Sequence, residues 1–280
     1  MRNFLKALRH PSVLVGGFLV FGWIFVACFA EWLAPYDPLR SIAPLVTPGG
    51  TGPDGDRLWL GADLLGRDIL SRLIYGARTV VVLSTLATLT AYAFGIAGGL
   101  VAGYVRGRVD AVLSFAANVI LSFPVLVLYI VIIVVLGASA GNIIIAVTFG
   151  SAPAIFRIVR AITIDIASRD FVAASVTQGE SAARVMAVDI LPNAMGPLIV
   201  DFCLRVGYTA ITIGVLGFLG LGLPPPTPDW GGMVNEGRAM AIAFPHLVIF
   251  PCVAISSLML GLSLLADGLR DVSRNQGVVR

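Results

Sequence analysis

The sequence predicts an all-α polytopic membrane protein with about six transmembrane helices and both termini on the cytoplasmic side. Three observations carry that expectation. Of 280 residues, 58% are hydrophobic and only 12% charged, against a soluble norm of roughly half and a quarter. Five uncharged runs exceed the ~18 residues that reach across a bilayer: Pro11–Ala30, Thr79–Val105, Ala111–Phe156, Val206–Pro228 and Ala239–Ala266, of which the third has 46 residues and can cross twice. With the N-terminus inside, twelve basic residues fall in cytoplasmic segments and six outside, five of those six in one long loop where the positive-inside rule is weaker.

The first span is expected over 11–33. Arg2, Lys6 and Arg9 before it suit a signal peptide, but the apolar run is too long for one and Phe29-Ala30-Glu31-Trp32 offers no small-residue cleavage site, so the span should be retained. A hydrophilic segment, 34–78, follows as an outer loop. It opens on Pro35-Tyr36-Asp37-Pro38 and runs through a Gly/Pro-rich stretch to about Asp56. Leu64, Leu65, Ile69, Leu70, Leu73 and Ile74 then recur at helical spacing, which predicts an amphipathic helix over 63–76 at the outer interface.

The remaining residues, 79–280, form a five-helix core. Its first span, 80–104, carries Gly95, Gly99 and Gly103 four residues apart, three bare patches on one face for packing against another helix. Pro124 interrupts the span at 111–136 and Pro153 that at 141–164, each removing an intrahelical hydrogen bond. The cytoplasmic loop 165–197 holds a stripe of Val172, Val176, Gly179, Ala183 and Met186, with Glu180 and Arg184 paired at i,i+4 off it. A short helix there, ended by Leu191-Pro192, should lie across the cytoplasmic face and offer itself to a partner. Asp201 and Arg205 share a face one or two turns into the fifth span, 198–222, as candidates for pathway contact or for a brace. The last span is expected over 245–266.

Several chemistries are excluded. The 18 arginines and single lysine form no basic stripe, so nucleic acid is not a partner. Lys6 sits between Leu5 and Ala7, which rules out a Walker A lysine. Cys28, Cys203 and Cys252 lie far apart and read as small buried packing residues, and His10 and His246 are isolated, structural or interfacial. No catalytic group, metal site or cofactor is expected in this chain. An ion-coupled transporter needs acidic groups near midplane, and 111–156 has none; an intramembrane enzyme needs clustered His, Cys, Asp or Glu, which is likewise missing.

Three motifs resemble one family. Trp59-Leu60-Gly61-Ala62-Asp63, Leu65-Gly66-Arg67-Asp68 and Tyr75-Gly76-Ala77-Arg78 are similar to its outer LGTDxxGRDxxSRxxYGAR block. The cytoplasmic loop, with Gly179 thirteen residues before Pro192 and Ile190-Leu191-Pro192-Asn193-Ala194 behind it, resembles an EAA loop. Phe218-Leu219-Gly220-Leu221-Gly222, Pro225-Pro226-Thr227-Pro228-Asp229-Trp230-Gly231 and Glu236-Gly237-Arg238 look like the outer loop before the last span. The family is that of the inner-membrane permease subunits, of the C type, of dipeptide/oligopeptide ABC importers. Aligned without gaps, the E-A-A triplet falls on Ala173, Ala174 and Ser175, so the glutamate is absent, with Asp170 and Glu180 the nearby charges.

The resemblance implies the type I importer permease fold in a bacterial inner membrane. It implies a peptide substrate, with a nickel complex, glutathione or a sugar as the alternative. The implied partners are a second, homologous permease, two cytoplasmic ATPase subunits that hold ATP and Mg, and a periplasmic or lipid-anchored solute-binding protein. Ala173, Ala174, Ser175, Gly179, Glu180, Leu191 and Pro192 would couple to the ATPases, and Gly61, Asp63, Gly66, Arg67 and Asp68 would serve assembly or the outer gate.

Overall fold

The computed structural model describes residues 11–277; Arg2, Lys6, Arg9, His10 and Arg280 lie outside them. Nine principal helices are described: α1 Pro11–Cys28, α2 Ile69–Val105, α3 Gly107–Leu121, α4 Val125–Leu136, α5 Ala140–Ala167, α6 Asp170–Thr177, α7 Leu191–Phe218, α8 Trp230–Gly237 and α9 His246–Gly277. Five helical stretches are long and apolar enough to cross a membrane, and α3 with α4 makes a sixth span if the bent pair is counted as one. Segments 34–68 and 219–245 gather at one end of the bundle, and 168–190 lies at the other.

The centre of the bundle is the packing of α2 on α5, its most extensive helix pair. A Cβ added at Gly95 would lie 2.6 Å from Ile155 Cγ2, at Gly99 2.6 Å from Val159 Cβ, and at Gly103 2.7 Å from Thr163 Cβ. The four-residue glycine spacing thus meets a four-residue ridge of β-branched side chains, and the backbones close to a distance any side chain would forbid. On the far side, α1 packs along α9, with Gly16 against the Leu265 backbone.

Four expectations are corrected. The amphipathic helix over 63–76 does not form: 63–68 is loop, and α2 begins at Ile69, where Asp68 caps it by accepting from Ser71 N at 2.8 Å and Ser71 Oγ at 2.6 Å. The outer loop therefore ends ten residues before Arg78, and α2 reaches well past the apolar run. The span at 111–136 is two helices bent by 85° at Pro124, because proline disfavours a helical conformation in the residue before it. Pro192 does not end a helix: the chain is helical from Ala182 to Phe218, and a π turn at Val185–Ile190 stands directly before the proline, where the regular hydrogen-bond ladder is already interrupted. Cys28 and Cys252 are exposed rather than buried, since a helix facing lipid needs apolar side chains there without needing contacts within the chain. Pro153 stays inside α5 without ending it.

Candidate functional site

Two outer motifs, more than 150 residues apart in sequence, meet in one buried ionic network. Asp63 accepts from the backbone N–H of Leu65 (2.8 Å) and Arg67 (2.9 Å) through Oδ1. Its Oδ2 accepts from Arg67 Nε (2.7 Å) and from Arg72 Nη1. Glu236 of α8 completes the set, accepting at Oε2 from Arg67 Nη2 and Arg72 Nη1, both at 2.7 Å. Two acids and two guanidiniums balance, which lets three of the four sit at 10% side-chain exposure or less.

Trp230, fully buried, sits one turn further along and donates from Nε1 to Leu73 O at 3.0 Å. Gly76 explains itself here, since a Cβ at that position would come 2.7 Å from the indole Cδ1. Asp229 caps α8 by accepting from Gly232 N at 2.8 Å, and burial pushes its carboxyl up from the ordinary value of 3.8. Gly61 and Gly66 adopt φ of +85° and +79° and turn the chain so that Asp63 can reach both arginines. The motif resemblance singles out Gly61, Asp63, Gly66, Arg67 and Asp68 but not Arg72, Asp229, Trp230 or Glu236, although all four stand in or between the same motifs.

At the opposite end, the cytoplasmic loop is one short helix, α6, followed by the start of the long helical stretch that runs from Ala182. α6 ends after Thr177, Gly179 takes φ +85° just beyond it, and Ser181 caps the next turn by accepting from Arg184 N. This breaks the stripe: Val172 is buried while Val176 is 49% exposed, and Gly179 has nothing within 4 Å of a built Cβ. Glu180 and Arg184 do pair, at 2.9 Å. Val172 and Val185 pack with Ile166, Ile190, Ala194 and Leu198, which fixes the segment to α5 and α7. Ala173, Ala174, Thr177, Gln178 and Gly179 remain exposed and Ser175 half-exposed, so the loop presents small side chains beside the exposed Phe171 and Val176.

Asp201 and Arg205 lie around the middle of α7, a helix that starts seven residues before the predicted span. Arg205 Nε donates to Asp201 Oδ2 at 2.6 Å, and Tyr92 of α2 donates its hydroxyl to the same oxygen. Arg205 also lines a cavity of about 340 Å³ between α2, α4, α5 and α7. Among the described residues no three His, Cys, Asp or Glu converge on a metal-sized site.

A bundle of apolar helices with a locked loop cluster at one end, an exposed short helix at the other and a cavity between them suits a multi-pass transport permease. The chain belongs to the family of binding-protein-dependent transport system inner membrane components, whose model matches residues 95–275. It is 34% identical over 278 residues to the glutathione transport system permease protein GsiD of Pectobacterium atrosepticum, covering 96% of this chain and 88% of that one. It is 37% identical over 274 residues to the di/tripeptide transport system permease protein DppC of Pseudomonas aeruginosa, covering 97% and 90%. Among solved structures it resembles an inward-facing MetNI methionine ABC transporter, with a TM-score of 0.60 at 18% identity over 73% of this chain and 97% of the other. That likeness shows the type I ABC importer permease fold. The protein is a permease subunit of an ABC importer in the inner membrane.

Proposed function

We propose that this chain forms half of the translocation pathway of an importer for dipeptides or oligopeptides. The observation that carries the reading is similarity along nearly the whole chain to permeases named for di/tripeptides and for glutathione, itself a tripeptide. The other half is a second, homologous permease. Two cytoplasmic ATPases hold ATP and Mg, and a periplasmic or lipid-anchored binding protein delivers the solute.

In this reading Ala173, Ala174, Ser175, Gly179 and Glu180 form the surface that meets an ATPase, and Leu191 and Pro192 carry its movement into α7. The small side chains let another backbone approach closely, and Asp170 and Glu180 are the nearby charges where the triplet lacks its glutamate. Gly61, Asp63, Gly66, Arg67 and Asp68 hold the outer loops against α8 and so set the outer gate or the assembly. Movement of α7 relative to α2 then switches the access of the cavity between the two faces.

The test is uptake of a labelled dipeptide by cells that depend on this chain and its partner subunits, with unlabelled tripeptide and unlabelled glutathione as competitors. Competition by tripeptide alone supports the peptide assignment. Competition by glutathione alone moves the chain to the glutathione reading favoured by its GsiD relatives. Failure to import any of the three overturns both.

A further inference from the structure

Arg205 of α7 is only half used by its partner. Arg205 commits Nε to Asp201, but neither of its terminal nitrogens has a hydrogen-bond acceptor among the described residues. Its side chain is 21% exposed, and it lines the cavity of about 340 Å³ together with Tyr129, Ser151, Tyr208, Thr209 and Thr212. A guanidinium at membrane depth with two free N–H forks is expensive unless something accepts from it.

The pair is asymmetric. Asp201 Oδ2 is covered from two sides, by the Tyr92 hydroxyl and by Arg205 Nε. Asp201 is exposed to the same degree, 23% against 21%, but only Arg205 of the pair lines the cavity, so the wall presents its donors there. The neighbouring hydroxyls are largely paired among themselves, Tyr129 with Ser151 and Thr88 with Thr209, each at 3.1 Å, which leaves Arg205 as the charged donor of the wall. The volume lies at the lower end of the range for small-molecule sites, roughly 300–1,000 Å³, which suits one end of a small solute. Leu121 and Val125, either side of the 85° bend, complete the wall.

We propose that Arg205 is a binding residue that receives a carboxylate of the passing solute, its terminal nitrogens making the paired N–H···O contacts that a planar guanidinium makes with a planar carboxylate. Asp201 and Tyr92 are positioning residues that hold the fork toward the cavity. This rests on the peptide reading, since dipeptides, oligopeptides and glutathione all carry a free terminal carboxylate.

The experiment uses the complete importer reconstituted with its binding protein, and reads both complex yield and uptake of a labelled dipeptide. Arg205→Gln alone leaves Asp201 without its partner and can fail to assemble, so the deciding variant is the neutral double, Asp201→Asn with Arg205→Gln. The double is expected to assemble like the wild type yet to import at a rate lower by roughly tenfold or more, the loss of about one charge-assisted contact. Arg205→Lys should retain more uptake than Arg205→Gln. If the double restores both yield and uptake, the pair is only a brace and the carboxylate site is refuted. If the double fails to assemble, the pair is needed for folding itself and the proposal is likewise refuted. Absence of dipeptide uptake by the wild-type complex refutes the substrate reading instead, which keeps the two failures apart.

Discussion

Asp63→Asn and Glu236→Gln each remove one negative charge from the same four-membered network, and they should differ severalfold in cost. The amide that replaces the Asp63 carboxylate can keep, through its carbonyl oxygen, the two backbone contacts made by Oδ1, from Leu65 N and Arg67 N. What the variant loses is Oδ2, the shared acceptor of Arg67 Nε and Arg72 Nη1, whose side chains are 10% and 4% exposed. Breaking a buried pair by removing one partner costs about 3–5 kcal/mol. Glu236 is 37% exposed, so water replaces much of what it gives up, and Glu236→Gln should cost about 1 kcal/mol. The comparison is read from chemical unfolding in detergent, with the midpoint and slope measured for each variant. Combining Asp63→Asn with Arg72→Met should recover part of the loss by removing the stranded charge. Equal costs for the two single variants, or a larger cost for Glu236→Gln, would refute the claim that burial governs this network.

Gly99→Ala should destabilise by about 1–3 kcal/mol through overpacking, because its Cβ would meet Val159 Cβ at 2.6 Å, whereas Gly22→Ala, with nothing within 4 Å, should be neutral or stabilising; the same unfolding assay checks both. Gly179→Arg should cost about 1 kcal/mol locally through its positive φ, and under the docking reading it should also abolish copurification of the ATPases, while full retention with normal uptake would remove this residue from the docking surface. Single cysteines at Thr51 and Gln276 should react with an impermeant thiol reagent from opposite sides of the membrane, and labelling of Thr51→Cys only from the cytoplasm would invert the topology. Asp229 has its carboxyl pushed above 3.8 by burial, so the folded state binds its proton more tightly than the unfolded state does. The stability of the wild type relative to Asp229→Asn, which keeps a capping oxygen, should therefore rise as pH falls from the raised value toward 3.8 and shrink as pH rises through it; a pH-independent difference would contradict the burial argument.

The spans were legible because hydropathy is a property of consecutive residues. Their ends were not, because an end depends on partners far away. Arg72 and Ser71 look like an interface in sequence, and they lie inside α2 where Asp63 and Glu236 accept from Arg72 Nη1 and Asp68 accepts from Ser71. The glycine face of α2 was visible from spacing alone, and its complement, Ile155, Val159 and Thr163, carries the same spacing on α5. The cytoplasmic loop shows the opposite failure. Its apolar positions suggested one helix, while the chain obeys Gly179 and Ser181, whose backbone and capping preferences outweigh a weak stripe. Arg205 was found from its charge, but Tyr92, 109 residues from Asp201 in sequence, shares the Asp201 oxygen that Arg205 Nε binds. Such a pairing leaves no local trace.

The unbroken helix from Ala182 to Phe218 has 37 residues, which makes it about 55 Å long at 1.5 Å per residue. Arg205 stands 23 residues from the Ala182 end, about 35 Å along the rod. A rod of that length is a lever. If it pivots at the depth of Arg205, a tilt of about 5° sweeps its cytoplasmic tip through about 3 Å, while the guanidinium itself hardly travels; if the pivot lies at the tip, the same tilt moves the guanidinium by that amount instead. The position of the fulcrum, rather than the size of the push, therefore decides whether a stroke at the ATPase opens a gate or carries a bound group along.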